Sequence, residues 1–183
     1  MKRENDMKTR LNAFCGGVFI AMGCLLATAF AQHDHHGSSN METAARTSIE
    51  GVIISDAWVR LNQMTGRPSA GYFSLRNNTG TTLTLTGVQV GGLSAPHGRA
   101  MLHQTTAVDG RMKMSHVAMV TIEPDTGVDF APGGFHIMLH NLPADLSIGG
   151  MLQLDLLLQL GTDAAVSLRV PFKLCGLASA MGC

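Results

Sequence analysis

Polar and apolar residues alternate with a period of two along much of this chain. In "TLTLTGVQV" and "MLQLDLLLQL" apolar side chains return at every second position, as in a strand with one buried face. From Gly51 onward eight short β-rich runs follow one another: "VIISDAWVR", "GYFSLRN", "TLTLTGVQV", "RAMLHQTT", "RMKMSHVAMV", "FHIMLHNL", "MLQLDLLLQL" and "AAVSLRVPFK". Between them lie "NNTGT", "GGLSAPHG", "VDG", "EPDTG", "APGG" and "GTD", rich in the Gly, Asn, Asp and Pro that turns require. Asp109-Gly110 between two alternating runs is a hairpin signal. Only "MLQLDLLLQL" resembles a helix. Gly149-Gly150 before it, Gly161 after it, and Leu154, Leu156, Leu158 and Leu160 on one parity favour a strand. Short strands at near-regular spacing with no helix between them predict an all-β fold, an antiparallel sandwich or Greek-key barrel.

The ends of the chain break this pattern. "MKRENDMKTR" carries Lys2, Arg3, Lys8 and Arg10, and an apolar run then leads to Ala29-Phe30-Ala31, an A-x-A cleavage pattern. Residues 1–31 read as a signal peptide. A membrane anchor is the rival, opposed by Gly16, Gly17, Gly23 and the small-residue ending. A lipoprotein reading through Cys24 is weaker, because apolar residues continue past that cysteine. Residues 32–50 are polar and aperiodic, a flexible arm containing His33, His35 and His36. The domain is expected over 51–174, with a Cys/Met-containing tail over 175–183. Export, a periplasmic location and no membrane span after cleavage follow as expectations.

Residues 32–183 hold nine Lys/Arg against eleven Asp/Glu, a net charge of −2 with no basic stripe, so nucleic acid is not an expected partner. All eight histidines and nine of the twelve methionines lie in this part, and five of those methionines fall between Met101 and Met138. This local enrichment in soft and borderline ligands points to metal chemistry. Cys175 and Cys183 lie together near the C-terminus, and an oxidising compartment allows a disulfide between them.

Three runs each carry a ligand pair at spacing two: Met101 with His103, Met112 with Met114, and His136 with Met138. Residues i and i+2 of a strand share a face. The Asp109-Gly110 turn joins the first two runs, so imidazoles and thioethers converge if the third lies nearby. Thioether sulfur is uncharged and polarizable, binds Cu(I) well and binds hard ions poorly. No carboxylate recurs in the set, and zinc prefers thiolates or more histidines. The residues therefore point to Cu(I).

His103, Met114, His136 and Met138 stand in the spacing H-x10-M-x21-H-x-M. With "DAWVR", "AGYFSLRN" and "PGGFHIMLHNL", this pattern resembles the periplasmic copper chaperones of the PCuAC type over roughly Ile54 to Phe172. The resemblance implies a cupredoxin-like β-sandwich with those four residues as Cu(I) ligands. It further implies delivery of copper toward the copper centre of cytochrome c oxidase, alongside Sco-type thiol proteins. His140 departs from the family, which often has methionine there.

Other residues keep two readings. Met112 and Met119 are read chiefly as core packing. Met101 is a spare ligand or a lid over the metal, and His116, two beyond Met114 on the same face, is an alternative ligand or a neighbour of the ligands. His97, in a Pro-Gly loop, is expected at the surface. His33, His35 and His36 form either a solvated tail or a Cu(II) site. For Cys175 and Cys183 a local disulfide leads, with a second Cu(I) site including Met181 as the rival. No G-x-S-x-G and no cysteine nucleophile signature occurs, so an enzyme is not expected. A blue-copper electron carrier needs a cysteine that is absent near His136 and Met138. A metal-free interaction sandwich leaves the paired His and Met unexplained. A monomer is expected.

Overall fold

The computed structural model describes residues 45–64, 66–91, 98–178 and 183. The arm histidines His33, His35 and His36, His97, Met181 and the expected signal segment lie outside these residues. Ten strands follow in order: β1 (Val52–Arg60), β2 (Ser69–Asn77), β3 (Leu83–Val90), β4 (Arg99–Val108), β5 (Arg111–His116), β6 (Val120–Ile122), β7 (Thr126–Phe130), β8 (Phe135–His140), β9 (Met151–Leu160) and β10 (Val166–Cys175). No helix occurs among the described residues. The all-β expectation holds, and "MLQLDLLLQL" is strand from end to end.

Hydrogen bonds link the strands in the order β5-β4-β8-β7-β2-β1-β10-β9-β3-β6, with β8 also paired to β2. Most neighbours run antiparallel; β1 runs parallel to β10, and β7 meets β8 in parallel. The two halves of this order close on each other, β3 packing against β4 and β6 against β7. One core lies between them, with Phe73, Leu75, Leu85, Ile137, Leu139, Leu154, Leu156, Leu158 and Phe172 all essentially buried. Burying each such side chain stabilises the fold by about 1.5–3 kcal/mol before the entropy cost of ordering the chain.

Two details depart from the sequence pattern. "RMKMSHVAMV" is not one strand: β5 pairs with β4 in one layer and β6 pairs with β3 in the other, so residues 117–119 cross between layers. The segment read as a turn, "EPDTG", runs into a further strand, β7, paired with β2. Backbone pairing also begins before Gly51. Arg46 N–H donates to the Ser167 carbonyl at 2.7 Å, and the Arg46 carbonyl accepts from Arg169 N–H at 2.7 Å. The last residues of the arm thus join the sheet beside β10.

A bulge in β1 sets what faces the outer side. The β1–β2 register shifts between Ser55 and Trp58, and Asp56 adopts a left-handed φ of 53°. The extra residue flips side-chain parity. Val52 and Ile54 pack on the core before it, and Ala57 and Val59 after it. Trp58 therefore turns to the opposite face, where it forms a second small cluster with Tyr72 and Cys175. Cys175 is disulfide-bonded to Cys183, as the leading reading of the tail expects.

Candidate metal centre

The β4–β5 hairpin positions half of the candidate ligands. Asp109 and Gly110 have φ of 49° and 72°, the paired positive values of a two-residue turn matching strand twist. This turn fixes the register: Val108 opposes Arg111, Thr105 opposes Met114, and His103 opposes His116. On its other side β4 pairs with β8, placing His103 opposite His136 and Met101 opposite Met138. Residues directly opposite on neighbouring strands share a face. His116, His103 and His136 therefore form a row across β5, β4 and β8. Their ring centroids are 5.9 Å and 5.8 Å apart. Leu102, Ile137 and Leu139, on the alternate parity, point into the core.

The four sequence candidates occupy different environments. His136 is 5% exposed, Met138 and His103 are half-buried, and Met114 is 49% exposed. Met114, His136 and Met138 line one pocket of about 530 Å³ together with Arg60, Tyr72 and Leu177. Sequence reasoning did not single out these last three. Their roles depend on the β1 bulge and on the disulfide, neither of which leaves a periodic signal.

The hydrogen-bonding state of buried His136 and half-buried His103 differs. The Gly134 carbonyl accepts from Thr105 N–H at 3.0 Å and lies 3.1 Å from His136 Nδ1. An Nδ1–H donated to that carbonyl leaves Nε2 as the nitrogen with a free lone pair. His103 has no such partner. Its Nδ1 and Nε2 are the buried side-chain nitrogen or oxygen atoms without a hydrogen-bond partner among the described residues. Buried Asn77, by contrast, donates to the Thr81 and Ile122 carbonyls and accepts from Thr79. An unpartnered buried polar side chain costs about 1–3 kcal/mol, which a fold tolerates where a function requires it. Burial pushes the His103 pKa below its ordinary value, and the positive charge of His136, His116 and His140 pushes the same way. His103 is thus held in the neutral form that binds metal.

Met101 and His116 share the histidine-lined face but line a separate, smaller pocket. Met112 and Met119, read from the sequence as core packing, are 64% and 57% exposed. Every residue of β5 is exposed, because this edge strand pairs only with β4 and no layer covers it. No three His, Cys, Asp or Glu side chains converge to hold a metal among the described residues.

The family whose description is "Putative lipoprotein LpqE-like" matches residues 52–170. The chain belongs to this LpqE-like family. A relative, "Putative lipoprotein Lxx21020" of Leifsonia xyli subsp. xyli (strain CTCB07), is 30% identical over 66% of this chain and 70% of its own length. "Uncharacterized protein RP573" of Rickettsia prowazekii (strain Madrid E) is 29% identical over 73% of this chain and 77% of its own. Among solved structures, the copper-bound PCuAC domain from PmoF2 superimposes with a TM-score of 0.54 at 17% identity, over 70% of this chain and 96% of that domain. The solution structure of Cu(I)-DR1885 from Deinococcus radiodurans gives 0.53 at 23% identity, over 77% and 87%. The LpqE-like chain thus has the fold of PCuAC domains, as the resemblance read from its sequence implies.

Proposed function

We propose that this protein is an exported Cu(I)-binding metallochaperone, with His103, Met114, His136 and Met138 as the ligands of its cargo. The observation that carries this reading is His103: a half-buried imidazole whose two nitrogens are buried and unpartnered, its pKa pushed down, in register with His136 and on the face of two thioethers. Two imidazoles and two neutral sulfurs suit a d10 Cu(I) ion and give calcium, magnesium or non-haem iron little to bind. The likeness to copper-bound PCuAC structures supports the same choice.

The arrangement suits transfer rather than catalysis. His136 is fixed by the Gly134 carbonyl, whereas Met114 stands on an exposed edge strand. An acceptor protein can displace the outer ligand first and the buried ones afterwards. Neutral thioethers need no deprotonation, and they cannot be lost to disulfides in an oxidising compartment. The recipients in this reading are copper-accepting proteins of cytochrome c oxidase assembly, including Sco-type thiol proteins. Residues 1–31 direct export and are cleaved, the lipoprotein names of the family and of one relative according with export. The domain over 51–174 acts as a monomer. His33, His35 and His36 hold Cu(II) on the arm.

X-ray absorption of the Cu(I)-loaded protein tests the ligand set. The expected first shell contains two sulfur and two nitrogen scatterers, and a shell without sulfur removes the assignment. Cu(II) electron paramagnetic resonance tests the arm. Changing His33, His35 and His36 to Ala is expected to abolish a nitrogen-rich signal and leave Cu(I) binding intact; an unchanged signal returns the arm to a solvated tail.

A further inference from the structure

Resting on the Cu(I) reading above, we propose that Met101 and His116, with His103 between them, form a second Cu(I) position beside the first. The geometry begins with the histidine row. His103 sits in the middle, with the His116 ring centroid 5.9 Å away on one side and that of His136 5.8 Å away on the other. Both His103 nitrogens lack partners, yet one imidazole offers only one nitrogen to a given ion. With neither nitrogen tied by a hydrogen bond, His103 is free to offer its one lone pair from Nδ1 or from Nε2, according to tautomer.

The side of the row nearer β5 carries its own ligands. Met101 shares a face with His103 by strand alternation and lies diagonal to His116 across the β4–β5 pair, within reach of a long side chain. Met101 and His116 both line a groove of about 180 Å³ at the β4 edge, with Ala100, Leu102, Val117 and residues of β3; it shares no lining residue with the pocket of Met114, His136 and Met138, and His103 lines neither. No carboxylate lines it; beside the imidazole and the thioether its polar side chains are Thr86 and Gln89, and His103 is related to it through its ring, 5.9 Å from that of His116. Two nitrogens and one sulfur suit three-coordinate Cu(I), and the absence of carboxylate disfavours hard cations.

Sharing His103 makes the two positions alternatives, so the chain holds one Cu(I) at a time on this face. Passage between them exchanges ligands stepwise without any change in oxidation state. His116 is exposed on the edge strand, so this second position is the one an acceptor reaches first.

The test is a Cu(I) titration under ascorbate against a chromophoric competitor. It uses the full chain with His33, His35 and His36 changed to Ala. This parent is expected to bind one Cu(I) on the histidine-lined face. His136→Gln with Met138→Leu is expected to retain one Cu(I), about a hundredfold weaker. Adding His116→Gln and Met101→Leu is expected to weaken the remaining binding at least about tenfold further. Loss of all Cu(I) in the first variant with an unchanged unfolding midpoint overturns the second position. So does residual binding indifferent to His116 and Met101. Should the first variant fail to fold, 15N imidazole spectra of the parent decide. Substoichiometric Cu(I) is expected to move His116 as well as His103 and His136, and a stationary His116 resonance overturns the proposal. A parent that binds no Cu(I) removes the chaperone reading and this inference with it, whereas a parent binding one Cu(I) without the His116 and Met101 effects removes this inference alone.

Discussion

Strands β8 and β5 both present candidate ligands to the same face, but they are built oppositely. Strand β8 lies inside the sheet, paired with β4 and β2, and alternates core residues Ile137 and Leu139 with His136 and Met138. Strand β5 is an edge, exposed at every residue and held only through β4. One half of the candidate site is therefore part of the folding unit, and the other half is an addition to it. A carrier needs both properties. In the proposed carrier the rigid half would select the metal by fixing an imidazole, and the exposed half would let a partner begin the exchange.

The largest expected difference between the strands is in stability. Ile137→Ala on β8 removes a fully buried side chain and is expected to cost about 2–5 kcal/mol. Met112→Ala on β5 is expected to change stability by no more than about 0.5 kcal/mol. Urea unfolding midpoints at constant m-value check this, and equal losses would erase the distinction.

Next in size is the loss of the fixed imidazole. His136→Gln is expected to lower Cu(I) affinity about a hundredfold, close to 2.7 kcal/mol. Competition titration measures it, and an unchanged affinity would show that β8 does not carry the rigid half.

Smaller effects are expected at the thioethers. Met138→Leu and Met114→Leu keep volume and apolarity, a swap usually costing under about 1.5 kcal/mol in a core. Each is expected to weaken Cu(I) binding about tenfold, near 1.4 kcal/mol. Only Met138→Leu is expected to shift the metal-free unfolding midpoint, because Met114 is half exposed. If both variants bind Cu(I) like the parent, the methionines are packing or surface residues and the site assignment fails.

The smallest effect concerns protons. His103 is held below its ordinary pKa of 6.5 by burial first and by neighbouring imidazoles second. The unfolded chain therefore takes up this proton more readily than the folded one. The corresponding stability is fully present above pH 6.5 and is lost as pH falls toward the lowered value. His103→Gln is expected to flatten the dependence of the metal-free unfolding midpoint between pH 7.5 and 5.5. An identical slope in parent and variant would contradict the burial of a neutral His103.

The sequence carried the strands and the ligand spacing because both are local and periodic. Leucines on one parity reveal β9, and Asp109-Gly110 reveals the hairpin that sets Met114 against Thr105. The break between β5 and β6 was hidden, since apolar residues continue across 117–119 while the chain changes layer. Strand β7 was hidden by its turn-like Asp125-Thr126-Gly127 start. The exposure of Met112 and Met119 depends on which strand forms the edge, a property of the assembled order that no residue pattern states. The contribution of Arg60 and Tyr72 to the pocket depends on the Asp56 bulge, where one left-handed residue reverses parity.

The central claim is that the methionine–histidine face holds Cu(I) selectively. Parallel competition titrations of Cu(I) and Zn(II), on the chain with His33, His35 and His36 changed to Ala, test it most directly. The account expects one Cu(I) bound far more tightly than Zn(II), with stoichiometry unaffected by loss of the arm histidines. No Cu(I) bound, or equal affinity for the two ions, would contradict it.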